Sequence, residues 1–423
     1  MRVISNKKKL VNFNKLKILN DPIYGFISIP NSLLFDLIEH PYFQRLRRIN
    51  QMGLSYLVYP GATHTRFHHA LGCMHMMQKA VQVLRGKNVE ISQEEENALY
   101  VAILLHDIGH GPFSHAMENS IVENVHHEEI SLLFMQTLNE EFNGQLSLAI
   151  EIFKGNYHRK FLLQLISSQM DMDRMDYLKR DSFYSGVAEG NINSERLIQM
   201  INVHEDYLVV EEKGIYSVEK FLVGRRLMYW QCYLHKTGVA AEMILTKILK
   251  RAKELTQQGV ELWCSDALKF FLNNPIDKSQ FSEHVLDKFA LLDDSDIIGA
   301  LKNWQFHDDL ILSFLSKSII NRNLFHIVNV DEFEQKSLVD LHKKQINDTL
   351  QINEDLLDYF VFSGVTKNTA YDVNAEPIRI LTKEKAIKDV LKASDQSNLT
   401  ALSVPVKKFF VCFPKEIMLK NIQ

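Results

Sequence analysis

Apolar positions along most of this chain recur at helical intervals. Between Thr65 and Leu84, the residues Phe67, Leu71, Met74, Met77, Val81 and Leu84 stand three or four apart, the spacing of one buried helical face. Helices are likewise predicted for 94–106, 127–138 and 157–169, and from Ser32 two helical pieces broken at Pro41 run on to near Gly53. Ahead of them, LKILNDPIYGFISIP at 16–30 sets β-branched and aromatic residues on either side of Asn20-Asp21-Pro22, which predicts a short hairpin. The stretch Phe221–Ile244 reads as one long helix, and residues 250–350 as further helices without a chemical motif. The last part, with YFVFSGV, PIRILT, KEKAIKDVLKAS and VPVKKFFVCF, alternates strand, strand, helix, strand. The pattern predicts a mainly α protein in two parts: a helical core with an N-terminal hairpin over 1–250, and a helical extension with a small α+β lobe over 251–423.

Composition narrows this only a little. With 423 residues, 46% of them hydrophobic, the chain can bury a large core. A formal net charge of -4 supplies no global basic field for nucleic acid, and the Lys7-Lys8-Lys9 run reads as a solvated terminus. Cys73, Cys232, Cys264 and Cys412 are far apart, with neither zinc spacing nor a disulfide framework, which fits a reducing cytoplasm. No apolar run reaches membrane-spanning length and the N-terminus lacks a signal-peptide segment, so no membrane partner is expected.

The chemistry concentrates at 99–115, LYVAILLHDIGHGPFSH, where an apolar helical stripe runs into Gly109, Gly111 and Pro112. Neighbours on a regular helix point about 100° apart, so His106 and Asp107 can meet one ligand only near the helix end. Imidazole plus carboxylate at such an end can nucleate a divalent-metal site. An isolated His-Asp pair is as readily a salt bridge or a cap, but His110 and His115 follow within the same glycine-rich turn. Elsewhere the residues alone are bland: His69 on its helix reads as a core histidine, and SSQMDMDRMDYLKRD at 167–181 as an exposed, salt-bridged helix. Arg225 and Arg226 sit among aromatics, and bidentate recognition of phosphate is one reason for arginines to lie there.

The motif HDIGHGPFSH resembles the HD-domain metal-dependent phosphohydrolases, and is similar to the form found in their deoxynucleoside triphosphate triphosphohydrolase branch. HTRFHHALG matches the motif whose last histidine is the first metal ligand, although His68 stands where glutamate is common, and DMDRMDYLKRD matches the downstream DxDRxDYxxRD motif. The resemblance implies an HD-domain helical metallohydrolase core that holds one divalent metal with His69, His106, Asp107 and Asp173. Two imidazoles and two carboxylates leave open positions on a six-coordinate ion, which suits Mn, Fe, Co, Ni or Mg better than a closed zinc site; zinc stays open, as does further Mg on substrate phosphates.

The resemblance also implies water attack on the α-phosphorus of a dNTP, dGTP among them, with release of deoxynucleoside and intact triphosphate. His115 is then the general acid, and His110 and His127 form a second catalytic layer, with Glu118 where relatives place aspartate. Arg66 corresponds to an α-phosphate contact and Arg225 to a γ-phosphate contact, while Gln51, Tyr177 and Asp181 surround the sugar 3′-hydroxyl. Arg174 replaces a lysine beside the phosphates, Tyr233 lies beside the sugar, and Leu234 replaces a polar residue near the base. Members of the branch are often homo-oligomers, dimers or tetramers, activated by a guanine nucleotide. Glu39, Gln44 and Arg47 match one regulatory site, or else form an ordinary charged helix surface; Arg196, His235 and Lys236 match part of a second, with Glu211 where arginine is expected. Two other readings compete: an HD phosphohydrolase acting on monophosphates or another phosphoester, and a nucleotide-sensing or nucleic-acid-binding protein with little turnover. Arg225 and Arg174 favour the triphosphate, since a monophosphate would not need two distal cations.

Overall fold

The computed structural model describes residues 17–118, 120–122, 125–415 and 418. The N-terminal hairpin pairs β1 (Lys17–Asp21) with β2 (Gly25–Ile29) antiparallel. Its turn is closed by Asp21, whose Oδ1 accepts from the Ile23 and Tyr24 amides at 2.8 and 3.0 Å, and by Gly25 at a φ of 75° that favours glycine. The helix α1 (Ser32–Glu39) starts at Asn31, whose side chain accepts from Leu34 N, and α2 (Pro41–Gln44) starts with proline in its first turn.

Helices frame the centre. One of them, α3 (Arg66–Gly86), packs on α4 (Gln93–Leu105), which opens with a Ser92/Glu95 capping box. At the start of α3, the Thr65 amide donates to His68 Nδ1 at 3.2 Å, so His68 serves as a capping acceptor in the place where the resembling motif commonly has glutamate. The short α5 (Ser114–Glu118) and α6 (His127–Glu141) follow, then α7 (Ser147–Phe153) and α8 (Lys160–Ile166). The last of this group, α9 (Met172–Ser185), is capped by Asp171, ends at left-handed Gly186, and lies against α3. The expected helix at 157–169 is therefore shorter, because its flanks turn to reach α7 and α9.

Beyond α10 (Ser194–Met200) come β3 (Ile201–His204), β4 (Tyr207–Glu211) and α11 (Ile215–Met228). The single helix expected over Phe221–Ile244 is broken. A π-helical turn, Tyr229–Tyr233, brings Leu234 N to Tyr229 O at 2.8 Å, and α12 (Lys236–Gln257) then restarts with the His235 Nδ1 accepting from Thr237 N. Hence the boundary expected at 250 falls inside α12.

Four helices, α13 (Asp266–Asn273), α14 (Glu283–Ala290), α15 (Asp294–Trp304) and α16 (Leu310–Ile320), precede β5 (His326–Val330), α17 (Gln335–Leu350) and β6 (Phe362–Asn368). The strands β7 (Arg379–Leu381) and β8 (Ile387–Asp389), the short α18 (Val390–Ala393) and β9 (Val406–Phe413) complete the order. The helix expected from KEKAIKDVLKAS is confined to its last part, α18, since Ile387–Asp389 ahead of it pairs with Arg379–Leu381 as strand. The C-terminal segment divides between two sheets: β9 lies between β5 and β6, whereas β7 pairs parallel with β4 and joins the order β3-β4-β7-β8. The amide of Gln169 pins the intervening loop, donating to the Asp372 and Glu376 carbonyls at 2.9 and 2.8 Å. The α fold with small sheets is thus as the pattern predicts.

Candidate active site

Three helices bring four donors to one point. His69 projects from the first turn of α3, His106 and Asp107 close α4, and Asp173 opens α9. His69 Nε2 lies 3.1 Å from Asp173 Oδ1 and 3.7 Å from Asp107 Oδ2, while His106 Nε2 lies 3.4 Å from Asp107 Oδ1 and 3.5 Å from Asp173 Oδ1. Each imidazole is oriented from behind. His106 Nδ1 donates to the Ile103 carbonyl at 2.7 Å and His69 Nδ1 to Asp176 Oδ2 at 2.7 Å, so both Nε2 lone pairs face the cluster.

These donors fit a divalent ion. Two ligands roughly 2.1 Å from one ion stand about 3.0 Å apart at a right angle and about 3.4 Å apart at a tetrahedral angle. The observed separations of 3.1 to 3.7 Å match. His106 Nε2 is buried and has no hydrogen-bond partner among the described residues. Burial pushes both carboxyls up but is outweighed: His106 and the Arg66 guanidinium hold Asp107, and His106 and His69 hold Asp173, below the usual carboxylate range. Both are therefore anionic donors at neutral pH. Cys73, one helical turn above His69, also comes close, yet its Sγ is 3.5 Å from both ring nitrogens. A point equidistant from Nδ1 and Nε2 lies off the Nε2 lone-pair axis, so the thiol packs against the ring.

The His-rich turn after α4 is held from two sides. Ser131 on α6 accepts from Gly109 N at 2.8 Å and donates to the His106 carbonyl at 2.7 Å. Arg45, fully buried, donates to the carbonyls of Ile108 and His110 at 2.9 and 2.7 Å. His110 stacks on His127 with ring centroids 3.8 Å apart, and lies 3.4 Å from Asp107 Oδ1. Burial and the Arg66 guanidinium push His110 down to about 3, so it is neutral at neutral pH. Glu118 Oε1 is 3.4 Å from His127 Nδ1. His115 falls on α5, and its side chain lies outside the described residues.

Cations and hydroxyls flank the donors. Arg66 donates to Asp107 Oδ2 at 2.7 Å, and Arg174, next to Asp173, donates from Nε to the Ser168 carbonyl at 2.6 Å. Arg225 reaches the Ala370 carbonyl at 3.2 Å, and its guanidinium lies 5.9 Å from the Tyr229 ring. Asp181 accepts from His64 Nε2 and Tyr233 OH, each at 2.7 Å, and Tyr177 meets Tyr233 edge to face. Four buried polar atoms, Gln51 Oε1, Arg66 Nε, Tyr177 OH and Arg225 Nε, have no hydrogen-bond partner among the described residues.

The remaining residues matched in the sequence lie elsewhere. Glu39 is exposed, and Gln44 Oε1 accepts from Arg47 Nε at 2.8 Å while Arg47 covers the Phe67 ring at 3.6 Å. His235 and Lys236 line a cavity of about 250 Å³ with Trp230, Asn329 and Lys408; Arg196 is not in its wall, and donates to the Lys213 carbonyl at 3.3 Å. The sequence reading missed Asp176, Arg45, His64 and Ser131. For Asp176 a signal existed: its spacing of four from Arg180 on a helix is that of an ion pair. For Arg45, His64 and Ser131 nothing local marks the partner, which is distant in sequence.

Helices that present two imidazoles and two carboxylates to one buried point define a helical metallohydrolase core. Residues 66–181 match the HD domain and residues 192–271 the HD associated region. The uncharacterized protein YwfO of Bacillus subtilis is 34% identical over 398 residues, covering 89% of this chain and 88% of that one. A crystal structure of a phosphohydrolase from Bacteroides thetaiotaomicron is 51% identical, with a TM-score of 0.90 over 95% of this chain and 100% of that one. The human deoxynucleoside triphosphate triphosphohydrolase SAMHD1 is 27% identical over 68% of this chain, which spans 54% of that protein. The chain belongs to the HD-domain phosphohydrolase family. No helix among the described residues is long and apolar enough to cross a membrane.

Proposed function

We propose that this chain hydrolyses deoxynucleoside triphosphates to deoxynucleoside and inorganic triphosphate at the His69, His106, Asp107 and Asp173 site. The observation that carries the reading is that Arg66, bonded to the proposed ligand Asp107, and the Gln51, Tyr177 and Arg225 side chains each keep a buried polar atom without a partner among the described residues, which a polar substrate can satisfy. The relationship to SAMHD1, which is named for this activity, supports it. His69, His106, Asp107 and Asp173 would hold a divalent ion, which would supply Lewis acidity and a water of lowered pKa.

The chain does the rest. Arg66, tied to Asp107, sets one cation beside the reacting phosphate, and Arg174 and Arg225 add charge for the distal phosphates. Asp181, already held by His64 and Tyr233, and Gln51 present acceptors to the sugar hydroxyl. Neutral His110, stacked on His127, receives a proton, and His115 delivers one to the leaving 5′ oxygen. Glu39, Gln44 and Arg47 form a guanine-nucleotide activating site between subunits of a homo-oligomer; the exposure of Glu39 and Arg47, and the half-buried Gln44 that bonds Arg47 and the Ile38 carbonyl, support this. The test is incubation with each dNTP and Mn²⁺ or Mg²⁺, followed by chromatography for inorganic triphosphate, with and without GTP. Release of monophosphate or pyrophosphate instead refutes the reaction, and a rate indifferent to GTP refutes the activator.

A further inference from the structure

We propose that Asp21, on the N-terminal hairpin, is a positioning residue for His69, acting through Arg180 and Asp176, so that the hairpin sets the metal affinity of the site. The inference rests on the metal-binding reading of His69 given above. The link is continuous. Asp21 Oδ2 accepts from Arg180 NH1 at 2.8 Å; Arg180 grips Asp176 with two parallel bonds, Nε to Oδ2 at 2.9 Å and NH2 to Oδ1 at 3.0 Å; and Asp176 Oδ2 accepts from His69 Nδ1 at 2.7 Å. Arg180, Asp176 and His69 are all fully buried.

The local packing is built for this pair. A Cβ at Gly72, three residues past His69, would sit 2.0 Å from Asp176 Oδ1 and 2.3 Å from Arg180 NH2, so only glycine lets the ion pair lie against α3. Two acidic partners balance Arg180, which orients its planar fork along the line from hairpin to imidazole. With Asp21 gone, Arg180 loses its anchor on the far side, and the carboxylate that fixes the His69 ring and tautomer is free to rotate with it.

Asp21 has a second job that makes the test clean. Its Oδ1 closes the hairpin turn through the Ile23 and Tyr24 amides, and only Oδ2 serves Arg180. Asp21→Asn keeps an oxygen for the turn but sets an amide NH2 against the guanidinium. The experiment measures Mn²⁺ dissociation constants by titration of the purified full chain, together with melting of the metal-free protein. Loss of the direct hydrogen-bond partner of a metal ligand, as in Asp176→Asn, weakens binding about tenfold or more, and Asp21→Asn, acting through that partner, should weaken it measurably by up to that factor. In an Asp176→Asn background the same change should add nothing, because the link is already cut. A purely structural Asp21 lowers metal-free melting and leaves the Mn²⁺ constant as in the wild type, and that result overturns the proposal. Arg180→Lys, which keeps the charge but cannot bridge both acids, must also weaken Mn²⁺; an unchanged constant there is equally fatal, and serves if Asp21→Asn does not fold. A wild-type chain that binds neither Mn²⁺ nor Co²⁺ overturns the metal reading as well.

Discussion

Replacing Gly109 with alanine should break the active turn without touching a proposed ligand. A Cβ there would stand 2.2 Å from the His127 carbonyl oxygen and 2.3 Å from Ser131 N, both backbone atoms that cannot rotate aside. Ordinary contact needs roughly 1 Å more, so the turn must move off α6 by about that distance. The two bonds through Ser131, at 2.8 and 2.7 Å, then lengthen beyond use. Each is worth about 1 kcal/mol, and overpacking adds about 1–3 kcal/mol, which together predict a loss of about 3–5 kcal/mol. His110 rides on the same turn, and a displacement near 1 Å at a reacting group lowers the rate about 100-fold. The assay pairs urea unfolding with kcat/KM for triphosphate release. Ser131→Ala is the control, since it removes the same bonds without adding bulk, and should lose about 2 kcal/mol with a smaller fall in rate. Wild-type stability and turnover in Gly109→Ala would show that the turn does not need this close approach, and the placement of His110 would go with it.

Three further outcomes are expected. Asp107→Asn and Asp173→Asn should each purify with less bound metal, because each replaces an anionic oxygen within 3.7 Å of His69 Nε2 by a neutral one; metal analysis decides, and full occupancy removes that residue from the site. Arg225→Ala should harm a dNTP far more than the matching monophosphate, by about tenfold or more if one charge-assisted contact of about 1.5–3 kcal/mol is lost; equal losses in kcat/KM favour a structural role through Ala370. Asp176 is held down to about 2, for although burial opposes it, Arg180 and His69 favour the anion. Its folded pKa is below the unfolded value, so its contribution, about 2 kcal/mol, is full above pH 4 and lost as pH falls toward 2. The stability gap between wild type and Asp176→Asn should accordingly narrow over that range in chemical unfolding, and a gap that widens contradicts the assignment.

What the sequence disclosed follows the range of the interactions. The stripe from Phe67 to Leu84 announces α3, and Asn20-Asp21-Pro22 announces the hairpin, because each is decided by neighbours a few residues apart. His69, His106, Asp107 and Asp173 were legible as a group only through their motifs, since three separate helices deliver them. The break at Leu234 was hidden: every residue from Phe221 to Ile244 suits a helix, and the π-helical turn answers to packing rather than propensity. Strand β8 was read as helix because Ile387–Asp389 finds its partner strand only in three dimensions. Arg45 looks like any arginine in RLRR, and its burial under the His-rich turn depends on residues more than sixty positions away.

The parallel pairing of β4 with β7 also carries a consequence for how the chain is made. Val209 and Val210 emerge from the ribosome long before their partners Arg379 and Ile380. At typical rates of roughly 5–20 residues per second, the open edge of β4 waits about 10–30 s for the strand that covers it. Over that interval the nascent HD core exposes an apolar strand edge, and the Gln169 amide has not yet met the 372–376 loop. A stop codon anywhere between residues 250 and 378 therefore makes that exposure permanent, so premature termination should yield an aggregating product and not a smaller working enzyme.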